Sequence, residues 1–139
     1  HGSATVSLRL DVGARIPIRK SAMGMAYLHA LPPDERDFLV DAIRKADEKE
    51  FPKFRKRLTA AFKDLDEVGF CVGLGLYERT VNGVATALKA RDGGSIYAFN
   101  CSGPSFQLTE EFIRKDVGPR LVAMVRNVEA EFLHQPIGF

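Results

Sequence analysis

The chain has 139 residues, of which 45% are hydrophobic and 27% charged, enough apolar material to close the core of one ordinary soluble domain. The 20 Lys and Arg residues are nearly balanced by 18 Asp and Glu, and the net charge of +2 is too small for the broad positive field that binding to a phosphate backbone needs. The composition also excludes collagen-like, coiled-coil and largely disordered chains.

Cysteine usage and hydropathy indicate the cellular setting. Cys71 and Cys101 are the two cysteines of the chain, and both have apolar neighbours, which is typical of a reducing cytosol rather than of a disulfide framework. No stretch approaches the roughly 18 to 20 apolar residues that a membrane-spanning helix requires. We therefore expect a cytoplasmic protein with no membrane partner.

The N-terminal segment predicts a strand. Residues 1–3 resemble the remnant of a cleaved expression tag, so we expect one domain over residues 4–135 and a loose tail over 136–139. From Val6 to Val12 apolar and polar residues alternate with the period of a half-buried strand, which ends at Gly13.

Three helices are predicted next. Small and helix-favouring residues from Ser21 to Leu31 predict a compact helix that stops at the Pro32-Pro33 pair, and a second helix is predicted from Glu35 to Ala46. A third helix, from about Phe51 to Glu67, should end at Gly69. The predicted core stripes of the second and third helices consist of Phe38, Leu39, Ala42 and Ile43, and of Phe54, Leu58, Ala61, Phe62 and Leu65.

A meander of antiparallel strands is predicted from the β-prone runs that follow. The runs are Phe70 to Val72, Leu74 to Thr80, Val84 to Ala90 and Ser95 to Cys101. Asn82-Gly83 and Asp92-Gly93-Gly94 have the composition of hairpin turns, because these residues tolerate positive φ angles.

The last predicted element is a C-terminal helix. Thr109 is its expected N-cap, Gly118-Pro119 is expected to break or kink it, and a second apolar stripe beginning at Leu121 ends before Pro136. Together the elements predict an α+β fold in which helices flank one mainly antiparallel sheet.

Several kinds of catalytic and cofactor site have no signature in this sequence. The three His and two Cys lack metal-ligand spacing, no phosphate-binding loop is present, and the glycines at 73, 75 and 83 do not open a helix after a strand. His29 is interpreted as a surface or cap histidine rather than a general base. We therefore expect neither a metal nor a cofactor, and no catalysis.

Two segments could form a binding site. At the start of the first helix, Ser21 as N-cap would leave backbone N–H groups free to hold a carboxylate, with Arg19 as a counter-charge. The alternative is an ordinary capped helix whose small residues permit close packing. The second segment is Asn100-Cys101-Ser102, where Ser102 contacts a ligand or caps a turn, and Cys101 is a reactive thiol or a small buried filler.

Five blocks, in order along nearly the whole chain, resemble the C-terminal effector-binding domain of the IclR family of bacterial transcription regulators. The family patterns are G-x-R-x-P-L, [ST]-A-x-G-K-A-x-L, I-R-x-x-G-Y, x-I-A-A-P-V and S-V-S-G-P-x-x-R-L-T. The corresponding blocks here are Gly13 to Ile18, Ser21 to Leu28, Leu65 to Phe70, Gly83 to Leu88 and Phe99 to Thr109.

The resemblance implies a GAF-like fold and a pocket for a small organic or aromatic acid. Its occupancy would be relayed to DNA by the winged helix-turn-helix that precedes this domain in the family and that we expect to be absent here. Homodimers or tetramers are also implied. The enzymatic alternative is a GAF-like thiol-dependent enzyme that uses Cys101 or Cys71.

The resemblance further implies which residues contact the effector. Its carboxylate would bind the backbone amides of Ala22 and Met23. Asp and Cys side chains that contact small keto acids in the family are replaced here by Gly73 and Gly83, which enlarges the site, so we hypothesise a larger, aromatic acid. The complete candidate site consists of Arg19, Ser21, Ala22, Met23, Gly73, Gly83, Asn100 and Ser102.

Overall fold

The structure, a computed structural model, describes residues 17–90 and 94–134, with the side chains of 132–134 left out. A short 3-10 helix (Ile18–Lys20) is followed by three helices, α1 (Ala22–Ala30), α2 (Pro33–Ala46) and α3 (Phe51–Val68). Three strands come next, β1 (Cys71–Leu74), β2 (Val81–Lys89) and β3 (Ile96–Pro104). The C-terminal helical stretch consists of α4 (Glu110–Phe112), a π-helical segment (Ile113–Val117) and α5 (Gly118–His134). The predicted α+β fold is confirmed. The predicted strand from Val6 to Val12 lies outside the described residues, as do the expected tag remnant and tail.

The described strands form an antiparallel sheet in the order β1-β2-β3. Gly73 on β1 lies opposite Gly83 on β2, and Gly83 lies opposite Ser102 on β3. Residues opposite each other, and residues two positions along a strand, share a face of the sheet. The row formed by Cys71, Ala85 and Asn100 therefore faces the same way as the row of Gly73, Gly83 and Ser102.

Helices pack on both faces of the sheet, mainly over β1 and β2, whereas β3 has no fully buried residue. On the face that carries these two rows, α1 and α3 build one core with Cys71 and Ala85, in which Met25, Ala26 and Leu28 are almost fully buried. On the opposite face, the C-terminal helical stretch packs against Val84 and Leu88. Burying a side chain of this kind stabilises the fold by about 1.5–3 kcal/mol, so both layers contribute to holding the sheet.

The helix ends follow the predicted local signals. Ser21 caps α1, and α3 ends at Gly69, whose φ of 85° is the left-handed conformation that glycine adopts without strain. α1 stops before the proline pair, and its last carbonyls receive hydrogen bonds from a side chain that the sequence did not point to. The guanidinium of Arg36 donates to the carbonyls of Leu28, His29 and Leu31 at 2.8–3.1 Å.

The predicted core stripe of α2 is partly wrong. Phe38 is 74% exposed and Ala42 is exposed, whereas Leu39, Val40 and Ile43 pack on the core as half-buried residues. The periodicity therefore predicts the helix correctly but overestimates the width of its buried face.

The predicted strand from Leu74 to Thr80 and the predicted Asn82-Gly83 turn are also wrong. The chain turns immediately after β1, where Gly75 has a φ of 62° and its N–H donates to the Asn82 side chain at 3.0 Å. Asn82 also donates to the Leu108 carbonyl at 2.9 Å, so its amide is satisfied inside β2. The β2–β3 hairpin is confirmed, although its turn residues 91–93 lie outside the described part of the chain.

Gly118-Pro119 does not break the C-terminal helix. The π-helical segment ends there and α5 continues directly from it. Glycine is required at this point by packing, because a Cβ on Gly118 would lie 2.5–2.7 Å from ring atoms of Phe70. Thr109 caps α4 as predicted, its hydroxyl accepting a hydrogen bond from the N–H of Phe112 at 3.2 Å.

Candidate functional site

A cavity of about 50 Å³, here called the central cavity, lies between the start of α1 and the sheet. It is lined by seven of the eight candidate residues, which come from the start of α1 and from all three strands. These seven are Ser21, Ala22, Met23, Gly73, Gly83, Asn100 and Ser102. The sequence-based candidates, Arg19 excepted, therefore share one cavity.

One wall of the central cavity is the N-terminus of α1. Ser21 is extended, with φ −148° and ψ 147°, and its Oγ accepts a hydrogen bond from Gly24 N at 3.0 Å while donating to the Pro17 carbonyl at 2.9 Å. The N–H groups of Ala22 and Met23 precede the first intrahelical bond and have no acceptor within α1. Two backbone donors at the positive end of the helix dipole are thus available to an anion.

The side of the central cavity formed by the sheet, here called the floor, consists of the glycines Gly73 and Gly83. A Cβ placed on Gly73 would lie 3.3 Å from Ala22 Cβ and 3.5 Å from Ala22 N, so this strand position lies directly beneath the helix amides. A Cβ on Gly83 would be 3.6 Å from Ser102 Cβ, an ordinary contact. Glycine at both positions leaves room over the sheet that side chains would otherwise occupy.

The remaining walls were missed by the sequence analysis. They come from the turn after β1 and from the first half of β2, and they consist of Leu76, Tyr77, Val81, Asn82 and Val84. Leu76 and Tyr77 fell within a segment predicted as strand, so they were not expected to fold over the sheet. The signal available in the sequence was Gly75, since a glycine at this spacing after a short strand is compatible with a tight turn.

Arg19 does not line the central cavity. Its Nη1 is 3.5 Å from Asp47 Oδ2, and its carbonyl accepts a hydrogen bond from Arg57 Nη2 at 3.3 Å. It lines a neighbouring cleft between the 3-10 helix and the start of α3 instead of the central cavity. The structure therefore does not place Arg19 as a counter-charge to a ligand of the central cavity.

The two cysteines do not form a catalytic arrangement. Cys71 is fully buried, its Sγ donates to the Ala22 carbonyl at 3.3 Å, and burial raises the pKa of its thiol to about 12. Cys101 lies opposite Val84, on the face of the sheet away from Ser102, and is exposed. The interpretation of Cys101 as a buried filler is therefore wrong, because β3 leaves this position open to solvent.

His29 is a surface histidine, as predicted. Its Nε2 lies 2.8 Å from Asp66 Oδ1 and its ring meets the edge of Phe62 with a centroid distance of 5.0 Å. Over residues 17–90 and 94–134, no three His, Cys, Asp or Glu side chains are grouped as ligands for a metal ion. Nor does any helix in that part of the chain have both the length and the apolar character needed to cross a bilayer.

Comparison with known proteins places these features in a family. Residues 1–130 match the family model described as "Bacterial transcriptional regulator IclR C-terminal". The HTH-type transcriptional regulator TsaQ1/TsaQ2 of Comamonas testosteroni is 29% identical over 128 residues, which cover 92% of this chain and 46% of that protein.

Solved structures agree with the sequence match. An IclR family transcriptional regulator from Brucella abortus superposes with a TM-score of 0.80 at 40% identity, covering 84% of this chain and 44% of that one. The inducer-binding domain of the PobR transcription factor from Acinetobacter, solved as a double mutant with 3-hydroxybenzoic acid, has a TM-score of 0.61 at 17% identity over 81% of this chain and 65% of that one. The chain spans less than half the length of the Comamonas and Brucella relatives.

Proposed function

The chain belongs to the IclR family of bacterial transcriptional regulators, where it corresponds to the C-terminal effector-binding domain, and we propose that it senses a small carboxylic acid bound in the central cavity. The carboxylate would accept hydrogen bonds from the N–H groups of Ala22 and Met23, and the rest of the molecule would lie over Gly73 and Gly83. The hydroxyl of Ser102, in the same cross-strand row as the two glycines, would bind a polar substituent.

One observation supports this proposal more than any other. The Ala22 and Met23 amides, which have no acceptor among the described residues, line one cavity with Gly73 and Gly83, two glycines that face each other across the sheet. Charge-assisted hydrogen bonds from backbone N–H groups are among the stronger ones, and the helix dipole adds to them. An ordinary helix cap explains Ser21, and close packing of α1 on β1 explains Gly73, but neither explains Gly83, where a Cβ would meet only ordinary contacts.

The size of the central cavity limits the ligand. About 50 Å³ is room for only a few water-sized groups, since one water needs roughly 10–15 Å³ by this measure. An aromatic acid therefore requires Leu76 and Tyr77 to move outward, and both belong to the turn after β1 rather than to a regular element. 3-Hydroxybenzoic acid bound to the Acinetobacter PobR domain supports an aromatic acid as the first class to test.

Further functions of the whole protein follow from the family. We propose that effector occupancy changes DNA binding by a winged helix-turn-helix on the same polypeptide, in keeping with the HTH-type description of the Comamonas relative. We also propose a homodimer or tetramer, a sensing role without catalysis, and action in the cytoplasm, where a bacterial regulator meets its operator. The burial of Cys71, which raises the pKa of its thiol to about 12, supports a non-catalytic role for that residue.

A thermal-shift panel tests acid sensing. The panel contains pyruvate, glyoxylate, benzoate and 3-hydroxybenzoate, with benzamide as the uncharged counterpart of benzoate. An acid at 100 times its Kd should stabilise the domain by about 2.7 kcal/mol, and benzamide should not. Amide NMR signals of Ala22, Met23 and Gly83 should move with the same acid. A panel that leaves both the melting temperature and these signals unchanged would reject the proposal.

A further inference from the structure

The cleft that contains Arg19, here called the basic cleft, is a second concentration of binding groups. It has a volume of about 300 Å³ and lies between the 3-10 helix, the α2–α3 corner and the first turn of α3. Its charged residues are Arg19, Lys20, Asp47, Glu50, Lys53 and Arg57, so four cations face two carboxylates.

The two carboxylates are already engaged. Asp47 uses Oδ2 toward Arg19 at 3.5 Å, and its Oδ1 accepts a hydrogen bond from the N–H of Glu50 at 3.3 Å. Glu50 is paired with Lys53 at 3.8 Å. Within the described ranges, no carboxylate lies within ion-pair distance of Lys20 or Arg57, so two positive charges remain uncompensated there.

The hydrogen bonding of Arg57 independently indicates that an acceptor binds beside it. Its Nε is buried yet has no hydrogen-bond acceptor among the described residues. Its Nη2 donates to the Arg19 carbonyl at 3.3 Å, which fixes the guanidinium beside the basic cleft. A buried guanidinium N–H without an acceptor is costly, and such an atom in a folded protein calls for a bound water, ion or ligand. The first turn of α3 adds the positive end of an 18-residue helix to the same cleft.

We infer that the basic cleft binds an oxyanion, which takes its hydrogen bonds from Arg57 and its charge compensation from Arg57 and Lys20. A carboxylate, sulfate or phosphate group supplies acceptors for the Arg57 guanidinium, whose donors match the paired oxygens of these anions. Such an anion reaches the buried Nε once the Arg57 side chain turns toward the cleft. The anion is either free in solution or the distal group of a diacid. Leu76 lines both the basic cleft and the central cavity, so displacement of this one side chain would connect the two.

NMR of the arginine side chains tests the oxyanion site directly. The Nε–Hε signal of Arg57, assigned by its absence in Arg57→Lys, is followed while sodium sulfate replaces sodium chloride at constant ionic strength. We expect a saturable shift of this signal with sulfate. Arg57→Gln should weaken sulfate binding about tenfold, the typical loss for one charge-assisted hydrogen bond. Arg55→Gln is the matched control, because Arg55 is an exposed arginine on the same helix and does not line the cleft.

Two organic acids distinguish the source of the anion. Terephthalate, a flat diacid, should shift Arg57 Nε–Hε together with the Gly83 amide if the distal group of an effector occupies the cleft, whereas benzoate should shift Gly83 alone. A sulfate response without a terephthalate response assigns the cleft to a free anion. If neither sulfate nor terephthalate gives a saturable shift at Arg57, the oxyanion site is overturned. A failure of benzoate to move Gly83 counts against acid sensing in the central cavity only.

Discussion

Adding one methyl group to the floor of the central cavity should weaken acid binding without destabilising the domain. In Gly83→Ala the new Cβ lies 3.6 Å from the Cys101 carbonyl oxygen and from Ser102 Cβ, so it meets no clash in the unliganded protein. Because φ at this position is not positive, alanine should raise the free energy of unfolding by about 0.4–1 kcal/mol. The methyl occupies ligand space, however, in a cavity of only about 50 Å³.

Overpacking of a filled site costs about 1–3 kcal/mol, which corresponds to a loss of affinity of roughly 5- to 150-fold. The assay is calorimetric titration with benzoate or pyruvate, alongside urea unfolding of each variant. Gly103→Ala is the control, since it makes the same chemical change on the opposite face, where its Cβ would lie 3.8 Å from Leu108 and outside the central cavity. Equal affinity in wild type, Gly83→Ala and Gly103→Ala would refute the assignment of the glycine floor to the ligand.

Three further predictions concern the two ends of α1 and the two cysteines. Ser21→Ala removes the acceptor for Gly24 N and should lower the free energy of unfolding in urea by about 1 kcal/mol, while Ser21→Thr should restore most of it. In Ellman titration at pH 8, Cys101 should react at once and Cys71 only on unfolding. Because burial raises the pKa of Cys71 to about 12, the stability it contributes is complete below its ordinary value of 9.0 and falls as pH rises from there toward 12, a decline that Cys71→Ala should reduce. Arg36→Ala should lower the free energy of unfolding by about 1–3 kcal/mol, because it removes the side-chain donor to the His29 and Leu31 carbonyls and one of two donors to the Leu28 carbonyl. Arg36→Lys should recover only part of this because lysine lacks the planar fork.

Elements governed by local chemistry were predictable from the sequence. The caps at Ser21 and Thr109 and the left-handed Gly69 are each set by a few neighbouring residues, and the structure confirms them. Asn82 shows the opposite case. The Asn82-Gly83 pair favours a turn, but the Asn82 side-chain amide hydrogen-bonds the Gly75 N–H and the Leu108 carbonyl. These two partners come together only after β1, β2 and the loop before α4 have packed. Tertiary hydrogen bonding therefore overrode a local preference.

Some residues of the central cavity are predictable from local sequence signals, and others are brought together only by the tertiary structure. The helix terminus could be identified from Ser21 and the small residues that follow it, whereas Gly73, Gly83 and Ser102 acquire meaning only through a strand register that sequence periodicity does not fix. Similarity to the family patterns identifies those positions without knowledge of the register. The walls at Leu76 and Tyr77 match no such pattern, and the β-prone run that contains them predicts a strand. The sequence therefore does not identify these two residues as part of the central cavity.

Arg19 shows why a charge near a helix start is not enough to define a counter-ion. It lies two residues before the cap of α1, and from sequence distance alone it could turn toward the free amides. Its direction is decided instead by Asp47, 28 positions further along the chain, and by Arg57 on α3, which hydrogen-bonds its carbonyl. The α2–α3 corner thus draws Arg19 away from the central cavity and into the basic cleft. An acid in the central cavity would therefore be held by backbone amides, and side-chain cations would act on it only if it extends past Leu76.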